Sequence, residues 1–343
     1  MKKFTTVVPV YKNEGSIDRL LDEVSNLADQ LTDLGFEFEL VTVVDGSPDQ
    51  SYVMIQDRLA ELPFPCQLVG HSRNFGSFAA IRTGLAHGTG DYFGVLAADL
   101  QEPIDLMSDF AQTLDGGDCD VVIGRRVDRD EALSKTFSAR LFWGMYRRLI
   151  VKEMPSGGVD VFGCSRTFRD HLLELEESRT SLVGLIFWLG FERKEVDYKR
   201  QARDSGESAW TLRKKLRYMA DSIFAFTDYP IRFLLGFGLV STVLSLFAGL
   251  VVAIARITGN IEVPGFAALM LVTLTFGSIL ILGLGLVGEY AWRAYENTKH
   301  RPTSVVARTE SNLASTAGDP LNSPVTNSPV INSNVTSITE RSA

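Results

Sequence analysis

Apolar runs of strand length alternate with helical patterns along the first 124 residues. Phe4 to Tyr11 is rich in β-formers and ends in the polar turn Lys12-Asn13-Glu14-Gly15. Ile17, Leu20, Leu21, Val24, Leu27, Ala28, Leu31 and Leu34 then repeat at helical spacing, with Ser16 as the expected cap and Gly35 as the stop. Phe38 to Val44 reads as a second strand, halted by Asp45-Gly46-Ser47-Pro48-Asp49. A helix to about Glu61, a strand near Gln67-Leu68-Val69, a polar loop at His71 to Gly76 and a small-residue helix follow. Phe93 to Ala98 reads as a buried strand ending in Asp99-Leu100-Gln101-Glu102-Pro103, with Pro103 suited to the first turn of the next helix. Val121 to Gly124 is a further strand. Strands alternating with helices imply an α/β fold with a mainly parallel sheet flanked by helices.

The second half has a different pattern. Phe233–Ala255 and the stretch 264–288 carry no charge, and each exceeds the roughly 20 residues that cross a bilayer core. The link between them is short, so they predict a two-helix transmembrane hairpin within 231–292. Lysine and arginine gather before the first span (Arg213 to Arg217, Arg232) and after the second (Arg293, Lys299, Arg301), which puts both termini in the cytosol. Two basic, amphipathic segments, about 133–151 and 211–227, suit helices lying at a membrane interface. The first also suits a core-facing helix with a basic outer face. Ser241, Ser245 and Gly249 form a small-residue face for close helix approach, within the hairpin or in a homo-oligomer. The tail from 303 to 343 is Ser, Thr, Asn and Pro with few apolar residues, and is expected to be disordered. This divides the chain into a cytosolic domain, 1–230, the hairpin and the tail.

Charge and composition narrow the function classes. The net charge of −8 argues against a nucleic-acid surface. The 3 cysteines lie far apart with no metal spacing and no disulfide framework, as in a reducing compartment. No Walker lysine loop is present, and the GxGxxG spacing at Gly283-Leu284-Gly285-Leu286-Val287-Gly288 falls inside an uncharged apolar stretch rather than between a strand and a helix, which disfavours P-loop NTPases and dinucleotide oxidoreductases. Three strands end in acidic or polar loops that would share one rim: Tyr11 to Glu14, Asp45 to Asp49 and Asp99 to Glu102. Ligands bind at that rim in open α/β sheets. Asp99 with Gln101 offers hard oxygen ligands for Mg²⁺ or Mn²⁺. The same residues also suit an ordinary turn with Asp99 as a helix cap.

The motifs Val7-Val8-Pro9-Val10-Tyr11-Lys12-Asn13-Glu14, Val44-Asp45-Gly46-Ser47, Ser72-Arg73-Asn74-Phe75-Gly76 and Ala98-Asp99-Leu100-Gln101-Glu102-Pro103 resemble those of family 2 glycosyltransferases of the GT-A, Rossmann-like fold. Within them they look most like the polyisoprenyl-phosphate glycosyltransferases, the dolichyl-phosphate mannosyltransferase-like branch. The resemblance implies that Pro9, Tyr11, Glu14 and Asp45 line the nucleotide, and that Asp99 and Gln101 meet a divalent metal and the diphosphate. Arg126 and Arg129 match a family pair of arginines suited to phosphate; a solvated charged loop is the competing reading. Asp160, in Pro155-Ser156-Gly157-Gly158-Val159-Asp160, matches a candidate catalytic carboxylate, although a glycine-rich turn would also hold an aspartate. Arg203 and Ser208 match phosphate-binding positions of an Arg-x-x-Gly-x-Ser-Lys-aromatic motif.

Three positions depart from the pattern: Val44 and Ala97 stand where the family has aspartates, and Ala209 where it has lysine. The implied function is inverting sugar transfer from a nucleotide donor, UDP-hexose in the first instance, to a polyisoprenyl phosphate such as undecaprenyl phosphate. A non-catalytic, membrane-anchored sugar-nucleotide binder is an alternative, motivated by the three departures. A processive polysaccharide synthase is another, but should carry Gln-x-x-Arg-Trp and more spans, which this sequence lacks.

Overall fold

The computed structural model describes residues 1–127, 159, 161–177, 180–200, 212–258 and 265–312. The interface segment 133–151 lies outside them. So do four predicted site residues, Arg129, Asp160, Arg203 and Ser208.

Strand β1 (Lys2–Val10) is followed by α1 (Ile17–Asp33), β2 (Phe36–Val44), α2 (Ser51–Leu59), β3 (Cys66–His71), α3 (Ser77–His87), β4 (Tyr92–Val95), α4 (Leu106–Asp115) and β5 (Val121–Arg126). Then come β6 (Phe162–Ser165), α5 (Arg166–Glu174), α6 (Leu182–Trp188) and β7 (Arg193–Tyr198). The strands form one sheet in the order β7-β5-β6-β4-β1-β2-β3, with a last strand, β8 (Val306–Ser311), beyond β3. The central run β4-β1-β2-β3 is parallel, as the alternating pattern predicts. β6 is antiparallel to both β4 and β5, and β8 is antiparallel to β3.

The core explains why these residues form these elements. The positions from Ile17 to Leu31 that repeat at helical spacing are buried, together with Phe4, Val8, Leu40 and Leu68 of the sheet, whereas Leu34 lies past the end of α1 and is exposed. On the opposite face Leu85, Phe93, Phe168 and Leu172 form a second buried cluster. Strands covered on both faces read as near-continuous apolar runs rather than alternating ones, as Leu40 to Val44 does apart from Thr42. Pro9 sits in this central strand without breaking it. Val7 accepts from the Leu96 N–H on the β4 side. Pro9 faces the same side two residues later, past the end of β4 at Val95, so no ladder donor is lost.

Three expectations need correction. The helix after Asp99 starts at Leu106, not at Pro103; residues 103–105 form a preceding turn in which Leu106 N–H reaches Pro103 O. Ser16 precedes α1 but makes no side-chain cap; its hydroxyl donates to Ala98 O at 2.9 Å and so ties the start of α1 to the Asp99 loop. The polar stretch expected to be disordered from 303 is partly ordered, because Val306–Ser311 is the strand β8.

After α7 (Leu212–Phe226), two long helices, α8 (Tyr229–Ile257) and α9 (Phe266–Thr298), contain stretches long and apolar enough to cross a membrane: Tyr229–Ala248 and Thr275–Thr298. Their large apolar side chains, such as Leu239, Phe247, Ile281 and Leu284, are exposed. Where the two helices meet, a Cβ added at Gly283 would lie 3.4 Å from Leu234. Arg293 near the end of α9 pairs with Asp221 of α7 at 2.7 Å and with Glu289 at 2.9 Å, and it lies over the Phe224 ring. That fixes α7 to the end of the second apolar helix.

Candidate active site

Parallel strands end on one side, so the loops after β1, β2, β3 and β4 form a common rim. β5 runs parallel to β4 through the antiparallel β6 and brings Arg126 to the same rim. Of the predicted site residues, Pro9, Tyr11, Glu14, Asp45, Asp99, Gln101 and Arg126 therefore gather there.

The loop after β2 is the centre of this rim. Asp45 is only 2% exposed. An ionised carboxylate in that position is costly unless its oxygens are satisfied. Oδ1 accepts from the Phe75 N–H at 2.8 Å and meets His71 Nδ1 at 2.8 Å, and Oδ2 accepts from the Gly76 N–H at 2.7 Å. Burial pushes the Asp45 carboxyl up, but the His71 bond and the two N–H bonds outweigh it and hold the group below the usual carboxylate range. Asp45 thus fastens the Ser72-Arg73-Asn74-Phe75-Gly76 loop onto the end of β2.

Gly46 makes that closeness feasible. It has φ +57, and a Cβ there would come within 2.2 Å of the Arg73 carbonyl carbon. Any side chain at 46 would push the two loops apart.

The β1 and β2 loops are stitched reciprocally. Lys12 N–H donates to Ser47 Oγ at 2.8 Å, and Glu14 N–H to Asp49 Oδ2 at 3.1 Å. In return Gln50 N–H donates to Glu14 Oε2 at 3.1 Å. Burial raises the Asp49 carboxyl, yet the Ser47 and Ser51 hydroxyls and the N–H groups of Glu14 and Ser51 bring it below its ordinary range. Lys12 holds a left-handed φ of 56, which turns the chain sharply after Tyr11. Tyr11 is left 39% exposed on the rim, with the Lys12 ammonium 5.6 Å from its ring centre.

The loop after β4 carries the expected metal position. Asp99 is half-buried, while Gln101 and Glu102 are 8% and 2% exposed. Leu100 between them is left-handed at φ 49, an uncommon state for a branched residue. Such backbone persists where surrounding structure holds it, and clusters at functional sites. Ser16 braces this loop from α1, and Glu102 meets Arg200 beyond β7 at 3.5 Å. At the end of β5, Arg125 is spent on Asp197 and Glu195 of β7. The strand's alternation leaves Arg126, not Arg125, for the other face.

Among the described residues no three metal-ligating side chains cluster. Asp45, Asp49 and Glu14 each accept a hydrogen bond from a neighbouring loop of the rim. Sequence reasoning did not single out His71, Thr83 or Asp49. His71 and Thr83 find their partners on elements distant in sequence, and Asp49 bonds both its own loop, through Ser47 and Ser51, and Glu14 of the β1 loop.

The profile of glycosyl transferase family 2 matches residues 5–175. "Putative glycosyltransferase CsbB" of Bacillus subtilis (strain 168) is 30% identical over 296 residues, 86% of this chain and 88% of the relative. "Bactoprenol glucosyl transferase" of Shigella phage SfV is 27% identical, over 89% of this chain and 98% of the relative. Among solved structures, glucosyl-3-phosphoglycerate synthase from Mycobacterium tuberculosis, in complex with Mn²⁺, UDP-glucose and phosphoglyceric acid, overlaps with a TM-score of 0.48 at 14% identity. That overlap covers 65% of this chain and 79% of the other.

Proposed function

The chain belongs to glycosyltransferase family 2, and from that premise we propose that it moves a hexose from a nucleotide diphosphate, UDP-hexose foremost, to a polyisoprenyl phosphate at the cytosolic membrane face. The observation that carries the reading is the shared rim of β1, β2, β4 and β5. It brings Tyr11, Asp45, Asp99 and Arg126 together, in a chain that continues into two apolar helices. Relatives named bactoprenol glucosyl transferases match 89% of the chain and support the lipid acceptor.

The chemistry follows from the two partners. A polyprenyl phosphate is an anion near neutral pH and already carries a nucleophilic oxygen. That oxygen attacks the anomeric carbon opposite the leaving nucleoside diphosphate. The bond to the diphosphate breaks, the diphosphate takes the electron pair, and the configuration inverts. With no proton to remove from the acceptor, positioning and charge stabilisation dominate. Tyr11, Pro9 and the loops fastened by Asp45 and Glu14 line the nucleotide. Arg126, Arg129, Arg203 and Ser208 are assigned to the phosphates, whose oxygens suit guanidinium forks. Asp160 orients the acceptor.

Asp99 and Gln101 would hold a divalent cation. Mg²⁺ accepts one or two carboxylates with substrate phosphates and water completing the shell, so a site with Ala97 in place of a second aspartate still fits. When bound, the cation stabilises charge on the leaving diphosphate.

Membrane insertion completes the proposal. Tyr229 and Arg232 open the first apolar helix, and Trp292, Arg293, Tyr295 and Lys299 close the second. Aromatic and basic residues at the same end of a hairpin mark one membrane interface. The headgroup-level phosphate of the acceptor lies at that level.

The test is to incubate membranes containing the protein with a panel of labelled nucleotide sugars and extract the lipid. Label from one donor should enter the organic phase. A protein that binds a nucleotide sugar yet never labels lipid would instead be a binding protein.

A further inference from the structure

The segment that leaves the second apolar helix returns to the nucleotide rim. After α9 the chain turns at His300, which is left-handed at φ 45, and runs as β8 along the edge of β3. The first contacts it makes are with the loop that Asp45 fastens. Ser72 N–H donates to Val305 O at 2.9 Å, and Val306 pairs with His71. Ser304 Oγ lies 2.8 Å from Thr83 Oγ1, which lies 2.9 Å from His71 Nε2. His71 Nδ1 in turn is 2.8 Å from Asp45 Oδ1, and the His71 side chain is fully buried.

The directions of these bonds follow from the groups themselves. An ionised Asp45 can only accept, so His71 Nδ1 carries the hydrogen. In the neutral ring Nε2 then accepts, and Thr83 must donate to it. The Thr83 oxygen is left to accept from Ser304. One line of hydrogen bonds, buried at His71 and Thr83 and half-buried at Ser304, thus joins the post-membrane segment to the carboxylate that holds the Phe75 and Gly76 amides.

We propose that Ser304, Thr83 and His71 are positioning residues for the nucleotide donor: the strap after the membrane hairpin fixes the tilt of His71, and through Asp45 the shape of the 72–76 loop. The proposal rests on the donor-site reading above. It explains why a polar hydroxyl, Thr83, is buried on α3 between a histidine and a segment from the far end of the chain. It also couples the membrane-embedded part of the protein to the donor rim through a covalently continuous strand rather than by loose tethering.

The test uses the full-length protein in detergent, with Thr83→Val, Thr83→Ser and Ser304→Ala. Valine has the shape of threonine without its hydroxyl, and serine retains the hydroxyl. Amide exchange at Phe75 and Gly76 should accelerate roughly ten-fold in Thr83→Val, the worth of about one lost hydrogen bond, and should stay near wild type in Thr83→Ser. KM for UDP-glucose, the probe donor, should rise by a similar factor in Thr83→Val while kcat at saturating donor and KM for undecaprenyl phosphate hold. Ser304→Ala, on an accessible segment where folding is not at stake, should shift both readouts in the same direction by less.

Unchanged exchange in Thr83→Val and Ser304→Ala overturns the proposal. So does a fall in kcat with donor KM unmoved, which is the signature of lost active protein alone. If the wild-type protein transfers no sugar from any nucleotide donor, the transferase reading falls and the exchange readout by itself decides the relay.

Discussion

At the scale of single residues, the rim is held by carboxylates that touch backbone more than solvent. Asp45 accepts from one imidazole and two backbone N–H groups. In Asp45→Asn one of those donors would face an NH₂ group, so we expect a loss of roughly 2–4 kcal/mol, the range for removing a buried charged acceptor, read by denaturant unfolding. The pH dependence has a definite sign. Native Asp45 titrates below its unfolded value of about 3.9, so its contribution is fully present above that pH. It is lost as pH falls through the lowered native value. Asp45→Asn should flatten that part of the acid limb. Gly46→Ala should cost at least about 1–3 kcal/mol, since it adds left-handed strain and a clash with Arg73 backbone. The sequence marked Asp45 through its motif, but not what it bonds to. Its donors come from the β3 loop, 26 to 31 residues away, and no periodicity reports a contact across two loops. The place of Asp99, just past the end of β4, was legible for the opposite reason: a carboxylate ending an apolar run stands out locally.

At the scale of elements, the strands and helices of the first 124 residues followed from the hydrophobic pattern because both faces of the sheet are covered. Among the elements that escaped, β6 is buried but too short to show a period, and β8 is exposed and held by pairing at the sheet edge. β6 has four residues and reads as part of a glycine-rich turn, yet it inserts between β4 and β5. β8 contains Arg308, Thr309, Glu310 and Ser311, a composition typical of a solvated tail. It is ordered by the free edge of β3, by Arg308 stacked over the Tyr52 ring and by Glu310 on the Tyr52 hydroxyl. Charged residues on an edge strand also discourage further pairing. Asn312 closes the strap: its side chain accepts from Cys66 N–H at 2.8 Å and donates to the Leu62 and Phe64 carbonyls. Asn312→Ala should cost roughly 1–3 kcal/mol by leaving partly buried groups unpaired, and amide exchange should rise at Cys66 before it rises in β1 or β2. Equal protection at Cys66 in both proteins would show that the strap is held by strand pairing alone.

At the scale of the whole molecule, an α/β domain with one acidic and basic rim is joined to two apolar helices, and α7 is pinned to the end of the second helix by Arg293. The two long apolar helices were legible from run length and lack of charge alone. The basic residues at one end carry the proposed placement of those runs in a bilayer. Reporters fused at residue 1 and after residue 312 should both be cytosolic; a C-terminal reporter on the outer side would mean one span and would place the rim away from its acceptor. The most direct measurement of the central claim is transfer by the purified full-length protein in detergent with Mg²⁺. Labelled UDP-glucose is supplied with either undecaprenyl phosphate or undecaprenol, and with Asp99→Asn alongside wild type. The account predicts one UDP released for each sugar carried into lipid, label only on the phosphate-bearing lipid, and a fall of roughly 10²-fold or more in Asp99→Asn, as for loss of a main electrostatic stabiliser. Sugar on undecaprenol, UDP release without labelled lipid, or an Asp99→Asn protein working at the wild-type rate would contradict it.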